Sequence, residues 1–342
     1  MYSSKPIINT RFFSRGQLLS KKVYKQVATN TYQLVSEDAY TYNSSSFSFT
    51  TRYSGISLKQ RIVREPIDYY TGSHTLYDYY YNDFSRQSDD TYPVSSTSTI
   101  YNPSDTTKTI RTFSWTSYAN YLHQQPSTIT TVGSNGDTIV ATIKYPADYI
   151  PSNDSIAHQA VLDTMLKRNM QAYPIELWTK RLTGNVTLSG GVNIYKQLSS
   201  AGLVVLDLQK RLEIATPISN YSQSSISSGN LQIDSRYKTM LNFPTYESSG
   251  NVNEVQKEND VKEVYLWGYK GVYPVAKIVG STYSVASALI TQGILDNPSN
   301  DYALRIHLNT LRTSLTSSFV YTYTYIPGIG MTSETDPKGV TT

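Results

Sequence analysis

Apolar and aromatic positions recur at every second residue along much of this chain, the period of strands that turn one face toward a core. Turn glycine Gly16 opens a run over residues 16–24 that predicts a strand, and residues 32–42 predict its return. Residues 128–132 and 138–145 alternate on either side of Gly133-Ser134-Asn135-Gly136-Asp137, whose Asn-Gly pair suits the positive φ angles of a hairpin turn. Further strands are expected over 192–198, 203–208, 211–214, 264–269 and 272–276. In residues 319–325 the odd positions Phe319, Tyr321, Tyr323 and Tyr325 share one face.

The period changes in three places. Leu162, Leu166 and Met170 recur every fourth residue within 156–171, with Ser152-Asn153-Asp154-Ser155 as candidate caps and Pro174 as a stop. Residues 283–295 and 302–315 predict two more helical segments, separated by Pro298 and Asn300. The polar stretch 219–230 and the charged stretch 247–262 read as loops or a domain seam. The pattern therefore predicts a mainly β protein of antiparallel sheets, sandwich or shell-like, with a few short helical insertions. It divides into a β-rich region (1–150), a mixed region with one helix and then strands (151–260), and a last region of strand, helical pair and strand (261–342).

Composition sharpens this picture. Of 342 residues, 31 are tyrosine and only 16% are charged, so the apolar surface is carried by rings with polar tips, as suits half-buried strands of an extracellular protein. The formal charge of +4 is spread thinly and gives no nucleic-acid footprint. The absence of cysteine excludes disulfides, thiolate catalysis and cysteine zinc sites. No stretch has the length of a membrane helix, and the start at Met1 lacks the basic and apolar regions of a signal peptide. We expect a fragment of a longer polypeptide, secreted or held at a cell surface.

Candidate chemistry is sparse. His74, His123, His158 and His307 are scattered without metal-ligand spacing, and the glycines at 133 and 136 lack the Lys-Ser/Thr of a phosphate loop. No nucleophile elbow is present, so neither enzyme chemistry, a metal nor a cofactor is expected. Asp89-Asp90 reads as a solvated turn. Asn43, Asn153, Asn185 and Asn220 fit the glycosylation pattern at the rate expected of a Ser/Thr-rich chain. The cluster at 69–84 offers a candidate binding face in Tyr77, Tyr79, Tyr80 and Tyr81, for a surface glycan or a protein. Its competing role is packing across strands, with Tyr77, Tyr79 and Tyr81 on one side and Tyr80 on the other.

The closing stretch, Tyr323-Thr324-Tyr325, then Gly328-Ile329-Gly330, then Thr335-Asp336-Pro337-Lys338-Gly339, resembles the first part of a YD repeat, the unit of RHS proteins. Residues 264–278 are similar to the region preceding such repeats in large surface proteins of Bacteroidota. The segments 14–24 and 39–43 are similar to a degenerate unit of the same kind. The resemblance implies turn roles for Gly330, Asp336, Pro337 and Gly339. It also implies a bacterial, toxin-associated β shell to which this chain contributes a non-enzymatic structural or attachment segment. Its partner would be the remainder of its own polypeptide, and the chain would end inside the repeat. The alternative is a carbohydrate- or protein-binding β module using the tyrosine-rich face. Asp336-Pro337-Lys338-Gly339 also matches a motif that RHS cores use in self-cleavage, but turn geometry alone accounts for it here.

Overall fold

The computed structural model describes residues 17–42, 51–64, 75–87, 93–102, 105–114, 125–149, 160–198 and 202–342, with the backbone alone over 51–64 and 75–87. The chain is mainly β, as the alternation predicts, and divides into two units: residues 1–113 with 131–136, and residues 114–130 with 137–342.

In the first unit, β1 (Ser20–Ala28) and β2 (Thr31–Tyr42) form a hairpin, with Asn30 taking φ 61° in the turn. β3 (Thr51–Arg64) and β4 (Thr75–Gln87) pair with each other as a separate ribbon. β5 (Pro93–Tyr101) lies against β2, and β6 (Thr106–Ser114) against β5, two strands that the Ser/Thr-rich sequence did not reveal. Among the described residues, every buried hydrophobic lies in the second unit.

The strand β7 (Thr128–Val132) precedes β8 (Thr138–Lys144), and the predicted turn between them is closed by the Gly136 amide donating to the Gly133 carbonyl at 2.9 Å. From β8 the second unit runs as an antiparallel meander through β9 (Glu176–Arg181), β10 (Val186–Gln197) and β11 (Val204–Leu212). A small hairpin, β12 (Ser225–Ser227) with β13 (Asn230–Gln232), interrupts it. The meander resumes in β14 (Tyr237–Tyr246), β15 (Val252–Lys257), β16 (Lys262–Gly268), β17 (Tyr273–Val279), β18 (Phe319–Ile326) and β19 (Gly330–Thr335).

Two expectations from polarity are corrected here. The stretches 219–230 and 247–262 are not loops throughout, since they carry β12 and the start of β13, and β15 with the start of β16. In the second case a charged strand is tolerated because Glu254, 4% exposed, meets Lys262 Nζ at 2.7 Å and accepts the Tyr283 amide at 2.8 Å.

Helices fill the detours. α1 (Ala160–Lys167) buries Leu162 and Met165 against Tyr149, Ile175 and Val204; the candidate caps at 152–155 lie outside the described residues. Between β17 and β18 the predicted helix at 283–295 is two short ones, α2 (Tyr283–Ala288) and α3 (Gln292–Asp296). The break follows from Thr282 and Thr291, each of which adopts the extended N-cap conformation and starts a helix of its own. α4 (Asp301–Ser314) is capped by Asn300, whose side chain accepts from the Ala303 amide at 2.9 Å.

The largest core forms where these helices meet the sheet. Leu304, Leu308 and Leu311 of α4, spaced along one face, pack with Leu295 on Val264, Leu266, Val275, Ala276, Ile278 and Val320. The register explains why those strand residues share a face: Val264 opposes Ile278, Leu266 opposes Ala276, and Ile278 opposes Val320. Contact is close enough at Gly268 that a Cβ there would sit 2.6 Å from the Leu295 carbonyl oxygen and 2.8 Å from Val275 Cγ1. The odd positions of β18 do share one face, as the alternation predicts, and it is the half-open one. Thr322 and Thr324 point under the helices instead.

Candidate functional site

The residues nominated by sequence fall in three places. Tyr77, Tyr79 and Tyr81 oppose Ile62, Gln60 and Leu58 in the β3–β4 register, and Tyr80 opposes Lys59. Residues 69–74 of that cluster, Asp89-Asp90, Asn43, Asn153 and three of the histidines lie outside the described residues. His307 lies on α4, and its Nε2 accepts the Thr291 amide at 3.0 Å, so it serves the start of α3.

The C-terminal residues form a tight turn. The Asp336 carboxylate accepts the Val340 amide at 2.8 Å, the Asp336 carbonyl accepts the Gly339 amide at 3.0 Å, and Gly339 takes φ 86°, a conformation glycine adopts freely. Gly330, at φ 138°, opens β19. Arg312 of α4 fixes the hairpin from above, its guanidinium donating to the carbonyls of Asp336 at 3.1 Å and Val320 at 3.1 Å.

A buried group of ionisable side chains in the second unit was not visible in the sequence. Glu176 opens β9 and is 1% exposed. Its Oε1 accepts from the Tyr221 hydroxyl at 2.5 Å and the Tyr237 hydroxyl at 3.2 Å. Its Oε2 accepts from the Ser224 amide at 2.8 Å and the Ser224 hydroxyl at 2.5 Å. Because Ser224 gives its own hydrogen to Glu176, the Tyr149 hydroxyl, 2.6 Å away, donates to Ser224 Oγ. Lys144 completes the group by donating to the Ser224 carbonyl at 2.7 Å.

Electrostatics keep this group locked. Burial, then the Glu176 carboxylate, drives Tyr221 far above the ordinary tyrosine range, and burial drives Tyr149 and Tyr237 up as well. The three hydroxyls therefore stay protonated as donors. Burial lowers Lys144, with Glu176 and Asp148 opposing. Four donors saturate the carboxylate, so the group can anchor the segment 217–224 to the sheet but leaves no lone pair facing a substrate. Tyr237 reaches it only because residue 190 is glycine: a Cβ there would lie 2.5 Å from the Tyr237 oxygen. The one sequence signal was a lone acid inside Pro174-Ile175-Glu176-Leu177-Trp178; its partners lie up to 61 residues away.

No family model matches the chain, and no curated protein matches it. The site must therefore be judged on geometry. Among the described residues of the second unit, a cleft of about 460 Å³ opens beside Trp267 and the ends of α2 and α3. The indole of Trp267 is fixed by donating to the Val252 carbonyl at 2.9 Å, and the Tyr246 hydroxyl is fixed on the Leu206 carbonyl.

Replacing Glu176 by alanine strands four donors and is expected to cost about 3–5 kcal/mol, measured by urea unfolding of the chain. The Asp234 pair tests the same segment through pH. Asp234 accepts from the Ser222 amide at 3.0 Å and holds Arg236 at 2.6 Å; the Arg236 side chain first, then backbone donors, keep its carboxyl well below the usual range. A depressed carboxyl contributes stability that is complete above the unfolded value, about 3.9, and lost as pH falls below it. Asp234→Asn should thus be less stable than the parent at neutral pH, and the difference should shrink in unfolding curves recorded from about pH 5 toward pH 2.

Proposed function

We propose that this chain is a non-enzymatic structural segment of a large secreted or cell-surface bacterial protein of the RHS type, contributing to a β-rich wall or its N-terminal attachment region. The observation that carries this reading is the meander of the second unit. From β8 to β11 and from β14 to β19, each strand pairs with the one before it in the chain, so the sheet grows by adding hairpins. A wall built this way extends without new topology, since every added hairpin finds its partner next to it.

Two further features support it. The terminal hairpin carries the turn residues Asp336 and Gly339 in a tight, side-chain-closed turn, as a repeating hairpin unit requires. The half-open face of β16–β18 is polar and aromatic: the Glu263 carboxylate accepts from the Tyr265 hydroxyl at 2.7 Å and meets Lys277 at 3.0 Å, and Tyr273 stacks on Tyr325 with ring centres 4.6 Å apart. Rings that carry hydroxyls and charges suit a wall exposed to water.

Sequencing the encoding gene on both sides of this stretch tests the proposal. The expected result is an upstream secretion signal and, downstream, repeated Tyr-x-Tyr-Asp strands with glycine turns. A gene without such repeats on either side would refute it.

A further inference from the structure

We infer that Tyr273 and Tyr325 form a modification site, at which a one-electron oxidant driven by peroxide, such as a peroxidase, joins the two rings as dityrosine. The sheet brings the two residues together. Ala276 of β17 opposes Thr322 of β18, and the same register carried three residues on sets Tyr273 beside Tyr325. Their rings lie nearly parallel, 12° apart in plane, with centres 4.6 Å apart.

Geometry selects this pair. When a phenol loses its O–H hydrogen, the unpaired electron spreads over the ring π system and much of it sits at the carbons ortho to oxygen. The π lobes stand perpendicular to the ring, so stacked rings turn them toward each other and edge-on rings do not. The other tyrosine pairs in ring contact among the described residues are edge-on: Tyr269 stands at 86° to Tyr273 and 88° to Tyr325, Tyr173 at 89° to Tyr195, and Tyr221 at 75° to Tyr237. Access selects the pair as well. Tyr273 and Tyr325 are half-exposed, whereas the hydroxyls of Tyr221 and Tyr237 are held on the buried Glu176 carboxylate. Tyr269 steadies the stack from one side, its hydroxyl accepting the Tyr325 amide at 3.0 Å.

The step balances with peroxide alone. Each phenol gives one hydrogen atom to the oxidant, the two ortho carbons form a C–C bond, and the hydrogen on each of those carbons shifts to its own ring oxygen, which restores both phenols. The pair loses two protons and two electrons in all. Hydrogen peroxide takes them up as its O–O bond breaks, and leaves as two waters. The new bond closes the segment that leaves β17, forms α2, α3 and α4, and returns in β18, the segment whose helices cover the sheet. Closing it restricts the unfolded chain as a disulfide does, in a sequence that has 31 tyrosines and no cysteine.

The test treats the full chain at micromolar concentration with a haem peroxidase and hydrogen peroxide, then with trypsin, and reads the peptides by mass spectrometry. Residues 271–277 carry Tyr273 as their single tyrosine, and residues 313–338 carry Tyr325. The expected product joins these two peptides, two hydrogens lighter than their sum, with fragmentation placing the bond at Tyr325. The linked chain should also unfold at higher urea than the untreated one. Tyr273→Phe and Tyr325→Phe each keep the ring and its packing but cannot form a phenoxyl radical, so each should abolish the product. A mixture of isotopically labelled and unlabelled chains separates a bond within one chain from a bond between two. The inference is overturned if the two peptides are not linked, if Tyr273 couples to Tyr269, Tyr321 or Tyr323 instead, if the bond joins separate chains, or if the linked chain unfolds at the same urea concentration as the untreated one.

Discussion

The second unit depends on one contact: the apolar stripe of α4 lying on the Val264–Ile278–Val320 row of the sheet. An antiparallel meander has two faces, and one of them must leave water for the hydrophobic effect to outweigh the entropy of ordering so many strands. Leu304, Leu308 and Leu311 supply that cover, with Leu295 beside them and glycine at 268 to permit the approach. What lies beyond the leucines on the same face is Thr322, Thr324, Ser333 and Thr335; the Thr324 hydroxyl bonds with Ser333 at 2.6 Å and the Thr335 hydroxyl with Thr341 at 2.9 Å. The dry core thus grades into a hydrogen-bonded layer, and Arg312 ties that layer back to the helix by donating to the Thr335 carbonyl at 3.4 Å.

Polar burial does a second job at the other end of the meander. Glu176 and its four donors fasten a long connection, from β11 to β14, onto the sheet beside the apolar cluster in which Ile214, Ile218 and Ile233 pack on Val192, Leu212 and Tyr237. Glu254 acts likewise where the chain enters α2. Such saturated carboxylates fix position more than they add net stability, since their desolvation cost offsets much of the attraction.

How much of this was legible in the sequence depends on whether the signal was local. The hairpin around Gly133–Gly136 was, because alternation on both sides and a turn dipeptide lie within a few residues. The faces of β18 were too, although which face would be covered was not, because tyrosine and threonine are equally at home half-buried. Charge misled at 247–262, where Glu254 looks solvated until its partners, Lys262 and the Tyr283 amide, are brought beside it by folding. The helix predicted over 283–295 failed at a cap: Thr291 interrupts an apolar run that would otherwise continue. The Glu176 group and the cleft are built from residues tens of positions apart, and no periodicity records that convergence.

The central claim is that the helical cover holds the meander together. Native-state hydrogen exchange read by mass spectrometry tests it most directly. The account predicts that amides of β16, β17 and β18 exchange slowest in the chain, together with those of α4 and more slowly than those of β1, whose side chains are all exposed. Exchange in β16–β18 as fast as in β1, or an α4 that opens while those strands stay protected, would contradict it.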